Sequence, residues 1–251
     1  MSTSRAVAGM LAAEIIAESR RLLRDPMFVA PSVGFPAAFY ILFSLVLPMG
    51  PRNPEAMRVL FVNYAAFGVV GAMLFGCAIM LANDRDLGVL KLKRTTALPM
   101  PVFFGGKLVA ALILAALVYL VMIGLAAGVV GVRMPPGAWL SISAAMLAGA
   151  LCFGAVGLAI GAWFRTNAAP GVVNLVFLPM AALGGLWFPL SMMPPFVRTL
   201  AHGLPTFHFG ELARAAAGAA TQAPWLSVAV LALIGGLAAL LSLLGLRRKP
   251  F

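Results

Sequence analysis

Charge is scarce in this sequence, and negative charge most of all: 7 of 251 residues are acidic, and charged residues of both signs make up only 10%. A soluble domain carries roughly 25% charged residues. This chain therefore cannot cover a water-exposed surface, and its solvent must be largely lipid. Cysteine and histidine are rare too, at two each. Cys77 and Cys152 lie far apart in apolar stretches without metal-type spacing, and read as small hydrophobic side chains in helices. His202 and His208 flank Pro205 beside Glu211, a trio that suits interfacial hydrogen bonding better than metal or acid–base chemistry. There is no nucleophile elbow and no paired-histidine zinc motif. Gly106-Lys107 is not a phosphate-binding loop, because Pro101 stands where a glycine is needed and Leu108 replaces the hydroxyl residue. No metal or nucleotide site is expected in this chain, so its energy must come from another polypeptide.

What is present is apolar: 63% of residues are hydrophobic and the mean hydropathy is +1.03. A membrane-spanning helix uses about 20 residues. Six runs qualify, at 27–49, 58–82, 104–132, 138–163, 168–190 and 224–246. They hold no Asp, Glu or His, and their only charges, Arg58 and Lys107, fall in the first turn of their runs and are counted with the loops. An ion-coupled carrier generally needs an ionisable group inside the membrane, so that class and a membrane-embedded enzyme are remote alternatives. A further stretch at 191–223 is broken by Pro194, Pro195 and Pro205, and is expected to form short re-entrant helices. The small-residue pairs Ala72/Gly76, Gly124/Gly128 and Gly157/Gly161 would let helices approach closely.

The net charge of +11 has a direction. Thirteen basic residues fall in the N-terminal segment, the loop after the second run, the loop after the fourth and the C-terminus; five fall on the opposite side. The positive-inside bias places both termini in the cytoplasm, which requires an even number of spans. No basic run is long enough to track nucleic acid. The first 25 residues carry Glu14, Glu18, Arg20, Arg21 and Arg24 and do not read as a cleavable signal peptide. At about 100° per residue, Leu11, Ile15, Ile16, Leu22 and Leu23 share an arc opposite those five charges. The segment 1–26 is expected to lie in the membrane interface with its charged face toward the cytoplasm. The expected fold is thus an all-α membrane protein with one transmembrane domain over 1–251: an interfacial helix (1–26), five spans (27–190), a broken segment (191–223) and a sixth span (224–246).

The loop after the second run reads Asn83-Asp84-Arg85-Asp86-Leu87-Gly88-Val89-Leu90-Lys91, then Leu98-Pro99 and Gly106-Lys107. This resembles the acidic-Arg-acidic-x-Gly-x-Leu-Lys segment of ABC-2-type transporter permeases. A second match runs through Gly184-Gly185, Phe188-Pro189, Met193-Pro194-Pro195, Leu204-Pro205 and Glu211 to Arg214. Asp84 and Asp86 stand where that family commonly has Glu, Ala97 replaces a frequent Pro, and Phe207 a frequent Tyr.

The resemblance implies two permeases, identical or paralogous, forming a twelve-span pathway in a bacterial inner membrane. Each would dock an ATP-binding subunit that carries the ATP and Mg2+. Docking would fall on Asp84, Arg85, Asp86, Gly88, Leu90, Lys91 and Arg94, with Glu14, Glu18, Arg20, Arg21 and Arg24 bracing that segment. The alternative for 84–96 is a solvated loop held to anionic lipid by Lys91, Lys93 and Arg94. The pathway would run beside Phe39, Phe43, Tyr64, Phe67, Phe177 and Trp187, a lining suited to a hydrophobic or amphipathic, drug-like compound. Export of a lipid-linked polysaccharide is the alternative within the same architecture.

Overall fold

The computed structural model describes residues 3–47, 53–95, 98–219 and 222–248. The side chains of Lys91 and Arg94, both expected docking residues, lie outside the described residues. The described regular structure is entirely helical: α1 (Thr3–Leu23), α2 (Pro26–Ile41), α3 (Pro54–Asp86), α4 (Val89–Thr95), α5 (Met100–Leu125), α6 (Pro136–Trp163), α7 (Ala169–Leu183), α8 (Pro195–Ala201), α9 (Pro205–Ala216) and α10 (Pro224–Arg248). Wider π turns extend α2 over Leu42–Val46 and α5 over Ala126–Val130. Proline opens α2, α3 and α9 at the first turn, where its missing N–H would have had no helical partner in any case.

Among the described residues, five stretches are long and apolar enough to cross a membrane: Pro26–Val46, Pro54–Asp86, Met100–Val130, Pro136–Trp163 and Pro224–Leu246. The fifth expected span is different. Only Ala169–Leu183 is helical, 15 residues, because the chain closes α7 at Gly184-Gly185. Gly185 takes φ +79°, its N–H bonds the Ala182 carbonyl, and the Leu186 N–H reaches back to Ala181. That is a Schellman closure, and the left-handed residue it requires favours glycine. The segment nevertheless runs alongside α3 over most of that helix's length. Thr166 is bonded to Asp86 at one end of α3, Phe177 stacks on Phe67 midway, and the Trp187 carbonyl accepts from Tyr64. From Tyr64 to Asp86 an α-helix rises about 33 Å, close to the roughly 30 Å hydrocarbon core.

The central element is α3, buried over most of its length and packed by α2, α5, α6, α7 and α9. Its closest neighbour is α6. A Cβ on Gly157 would lie 2.7 Å from the Leu74 carbonyl, and one on Gly161 would lie 2.6 Å from that of Ala78. These two glycines therefore let the backbones touch. Gly124 and Gly128 meet nothing within 4 Å in this chain.

One end of the bundle gathers α1, the end of α3, α4, the start of α5 and the end of α6. The last turns of α10 join it, where the Trp163 indole donates to the Leu241 carbonyl. We call this the charged end. At the opposite, far end, α9 dips between its neighbours: Phe209 packs on Gly149, near the middle of α6, and Arg214 reaches Asn63 of α3. The broken segment thus contains short helices, as the prolines predict.

The charged side of α1 divides: Glu14 and Glu18 are buried against the bundle, while Arg20, Arg21 and Arg24 are exposed, as are Ile16 and Leu23. Lys107, counted with a basic loop, is 0% exposed inside α5. The solvated reading of Lys107 is thereby overturned, because Lys107 and Glu18 neutralise one another.

Candidate functional site

At the charged end, three acids and three bases alternate. Lys107 donates to Glu18 at 2.8 Å and to Asp84. The other oxygen of Asp84 accepts from Arg21, and Lys93 donates to Glu14 and lies 3.9 Å from Glu18. The ammonium groups of Lys93 and Lys107 also sit over the Phe103 ring, at 5.0 and 4.6 Å. Burial alone would lower the Arg21 pKa, but the hydrogen bond and charge of Asp84, with Glu18 behind it, raise it above the usual value. The cluster works because every charge taken from water meets an opposite one. Local sequence makes room for it. A Cβ on Gly106 would lie 2.4 Å from Glu14 Cγ, so glycine admits α1 while the adjacent lysine meets its carboxylates.

Asp84, Arg85 and Asp86 occupy the last turn of α3, not a loop. Consecutive helical residues point about 100° apart, and these three bind three different neighbours. Asp84 faces α1 and α5. Arg85 donates to the carbonyls of Gly161 (3.3 Å), Ala162 and Phe164 (2.8 Å). Its guanidinium thereby satisfies carbonyls left open at the negative end of α6. Asp86 accepts the Thr166 N–H at 2.8 Å, ahead of α7.

Gly88, at φ +72°, turns the chain from α3 into α4. Helix α4 is then pinned from the inside: Leu90 is fully buried and Lys93 reaches α1. The exposed side of this corner carries Leu87, which ends α3, and Leu92 of α4, 69% and 67% exposed. Of the expected docking residues, Asp84, Arg85 and Leu90 are buried and spent on contacts within the chain, whereas Asp86 remains exposed. Of the residues expected to brace this segment, Glu14 pairs with Lys93, Glu18 with Lys107 and Arg21 with Asp84, while Arg20 and Arg24 are exposed. Sequence reasoning missed Leu87 and Leu92. Once Leu90 is buried, Leu92 stands some 200° around the helix from it, which was the available signal.

The six expected pathway aromatics form one connected cluster. Phe43 stacks on Tyr64 at 6.0 Å, Tyr64 on Phe39 at 6.4 Å and Phe39 on Trp187 at 6.1 Å. Trp187 meets Phe67 edge-on at 5.6 Å, and Phe67 stacks on Phe177 at 5.0 Å. Phe39, Phe67, Phe177 and Trp187 line a groove of about 440 Å³ between α2, α3 and α7; Phe43 and Tyr64 lie beside it. Met27, Phe28 and Phe75 also line it, and were not among the expected residues.

At the far end, Glu211 accepts from Arg214 at 2.8 and 3.0 Å, and Arg214 donates to Asn63 at 2.8 Å. His208 Nε2 lies 2.9 Å from the His202 carbonyl, and its Nδ1 lies 3.3 Å from the Gln222 amide nitrogen. The His–His–Glu trio is thus dispersed among separate hydrogen bonds.

The family model described as ABC-2 type transporter matches residues 11–217. The chain is also similar to YvfS of Bacillus subtilis (strain 168), a protein bearing the provisional name of transport permease, with 29% identity over 203 residues covering 80% of this chain and 83% of that protein. The match spans α1, the charged end, the aromatic groove and α9 together. An all-helical membrane fold and a family match over most of its length establish that this chain belongs to the ABC-2 type transporter family, as the membrane-embedded permease component of an ABC transporter.

Proposed function

We propose that the chain is one membrane half of an ATP-driven exporter. It pairs with a second copy of itself, docks one ATP-binding subunit per copy at the charged end, and moves a hydrophobic or amphipathic, drug-like compound out of the cytoplasm. ATP and its Mg2+ sit on those subunits. The asymmetry of basic residues supports a cytoplasmic charged end carrying both termini, in a bacterial inner membrane.

The observation that carries this reading is the construction of α4. Its inner side is fixed by Leu90 and Lys93, and its outer side offers Leu92 to a partner, beside Leu87 at the end of α3. A push on α4 reaches the end of α3 across one glycine turn. From there Asp84, Arg85 and Asp86 pass it to α1 and α5, α6 and α7. The groove supports the choice of cargo: about 440 Å³ lies within the roughly 300–1,000 Å³ typical of small-ligand sites. Its ring-on-ring wall favours a compact amphiphile over a lipid-linked polysaccharide, which needs a wider path.

The test is co-purification of the tagged chain with its ATP-binding subunit, followed by ATPase assay in lipid. We expect a stable complex whose ATPase rate rises with amphipathic compounds. A chain that purifies alone and accumulates compound in ATP-free vesicles under an ion gradient would overturn the proposal.

A further inference from the structure

The aromatic groove does not end at the rings. A second cavity of about 280 Å³ adjoins it toward the charged end, and Met27, Phe28 and Phe75 line both. Its mouth is polar, with Arg21, Asp25 and Asn83. The combined slot follows α3 from Asn83 to Gly68, fifteen residues apart in sequence, or about 22 Å of helix. Half of a bilayer measured with its headgroups is about 20–22 Å. The slot therefore has the depth of one leaflet, polar at the headgroup level and apolar below it.

We infer that this slot binds one zwitterionic phospholipid of the adjoining leaflet, its phosphate against Arg21 and Asn83, its ammonium against Asp25, and an acyl chain along Phe28 and Phe75 into the groove. The charges at the mouth select the head. Arg21 is a guanidinium partly exposed beyond its bond to Asp84, and Asp25 is an exposed carboxylate across the α1–α2 turn. A purely anionic head would meet Asp25 unfavourably, and a purely cationic one would meet Arg21. Asp84 does not interfere, because it is fully buried and already paired with Lys107. That the leaflet is the cytoplasmic one rests on the orientation proposed above; the site itself does not.

The experiment is native mass spectrometry of the full chain extracted from vesicles of equal phosphatidylethanolamine and phosphatidylglycerol with identical acyl chains. The wild type is expected to retain one lipid, the ethanolamine form at least several-fold over the glycerol form. Asp25→Asn, which keeps an N-cap for α2, is expected to abolish that preference. Gly71→Leu, which fills the groove beside Phe177, is expected to lose the lipid with its melting midpoint unchanged. Retention of no lipid, a preference for phosphatidylglycerol, or unaltered retention in Gly71→Leu would each overturn the site. The leaflet is read separately, by impermeant maleimide labelling of Asp25→Cys: labelling only from outside the cell would overturn the orientation and leave the lipid site standing.

Discussion

Lys107 donates a hydrogen bond to Asp84, and neither side chain has any exposed surface. One belongs to the start of α5 and the other to the last turn of α3. Around this pair the charged end of the bundle is assembled, so it is the first place to test.

Replacing Lys107 by Met leaves Asp84 and Glu18 buried with less compensation. Removing one partner of a buried pair typically costs about 3–5 kcal/mol. We expect a large fall in the melting midpoint in detergent, and partial recovery in the double variant Lys107→Met/Asp84→Leu, where the unpaired carboxylate is also gone. A midpoint unchanged by Lys107→Met would show that the cluster does not hold α1 and α3 to α5.

The contact of α6 with α3 depends on bare backbone. Gly161→Ala places a methyl 2.6 Å from the Ala78 carbonyl, an overpacking that costs about 1–3 kcal/mol. Gly124→Ala, which meets nothing within 4 Å, is expected to leave the midpoint unchanged or slightly raised, because alanine is the better helix former. Equal effects at both positions would contradict the packing described.

Arg85 joins α3 to the end of α6 through three carbonyls. Arg85→Gln should cost roughly 1.5–3 kcal/mol, the range for hydrogen bonds to charged groups. Arg85→Lys should not restore it, because an ammonium lacks the planar fork. Thermal melting of the three proteins side by side decides this; full rescue by lysine would mean that only the charge matters.

The exposed leucines at the end of α3 and on α4 should matter to the partner and not to the fold. Leu87→Asp with Leu92→Asp is expected to weaken binding of the ATP-binding subunit at least about tenfold, or 1.4 kcal/mol, with the melting midpoint of the chain unaltered. Binding measured by titration in lipid nanodiscs checks it, and wild-type affinity would move the docking surface elsewhere.

The membrane fold was legible because composition alone leaves no aqueous alternative, and because apolar runs of about 20 residues between charged loops mark spans directly. The importance of 84–86 and of the aromatics was legible only through the family resemblance. Lys107 was not. A count of basic residues treats each one as solvated, and nothing near position 107 reveals carboxylates 89 residues away in sequence, at Glu18. The same blindness hid the burial of Glu14 and Glu18 on α1. Periodicity finds a charged face but assigns it to water, unless a partner with opposite charge is known. The early end of α7 was written in Gly184-Gly185, yet hydropathy averages over such pairs and ran the span through them to residue 190.

The most direct test of the account is transport itself, in vesicles holding the chain with its ATP-binding subunit. We predict that a fluorescent amphipathic compound moves away from the side that carries the ATP-binding subunit only when hydrolysable ATP is supplied, and that Leu87→Asp with Leu92→Asp abolishes this movement. Movement that proceeds without ATP, or that runs toward the ATP-binding side, would contradict it.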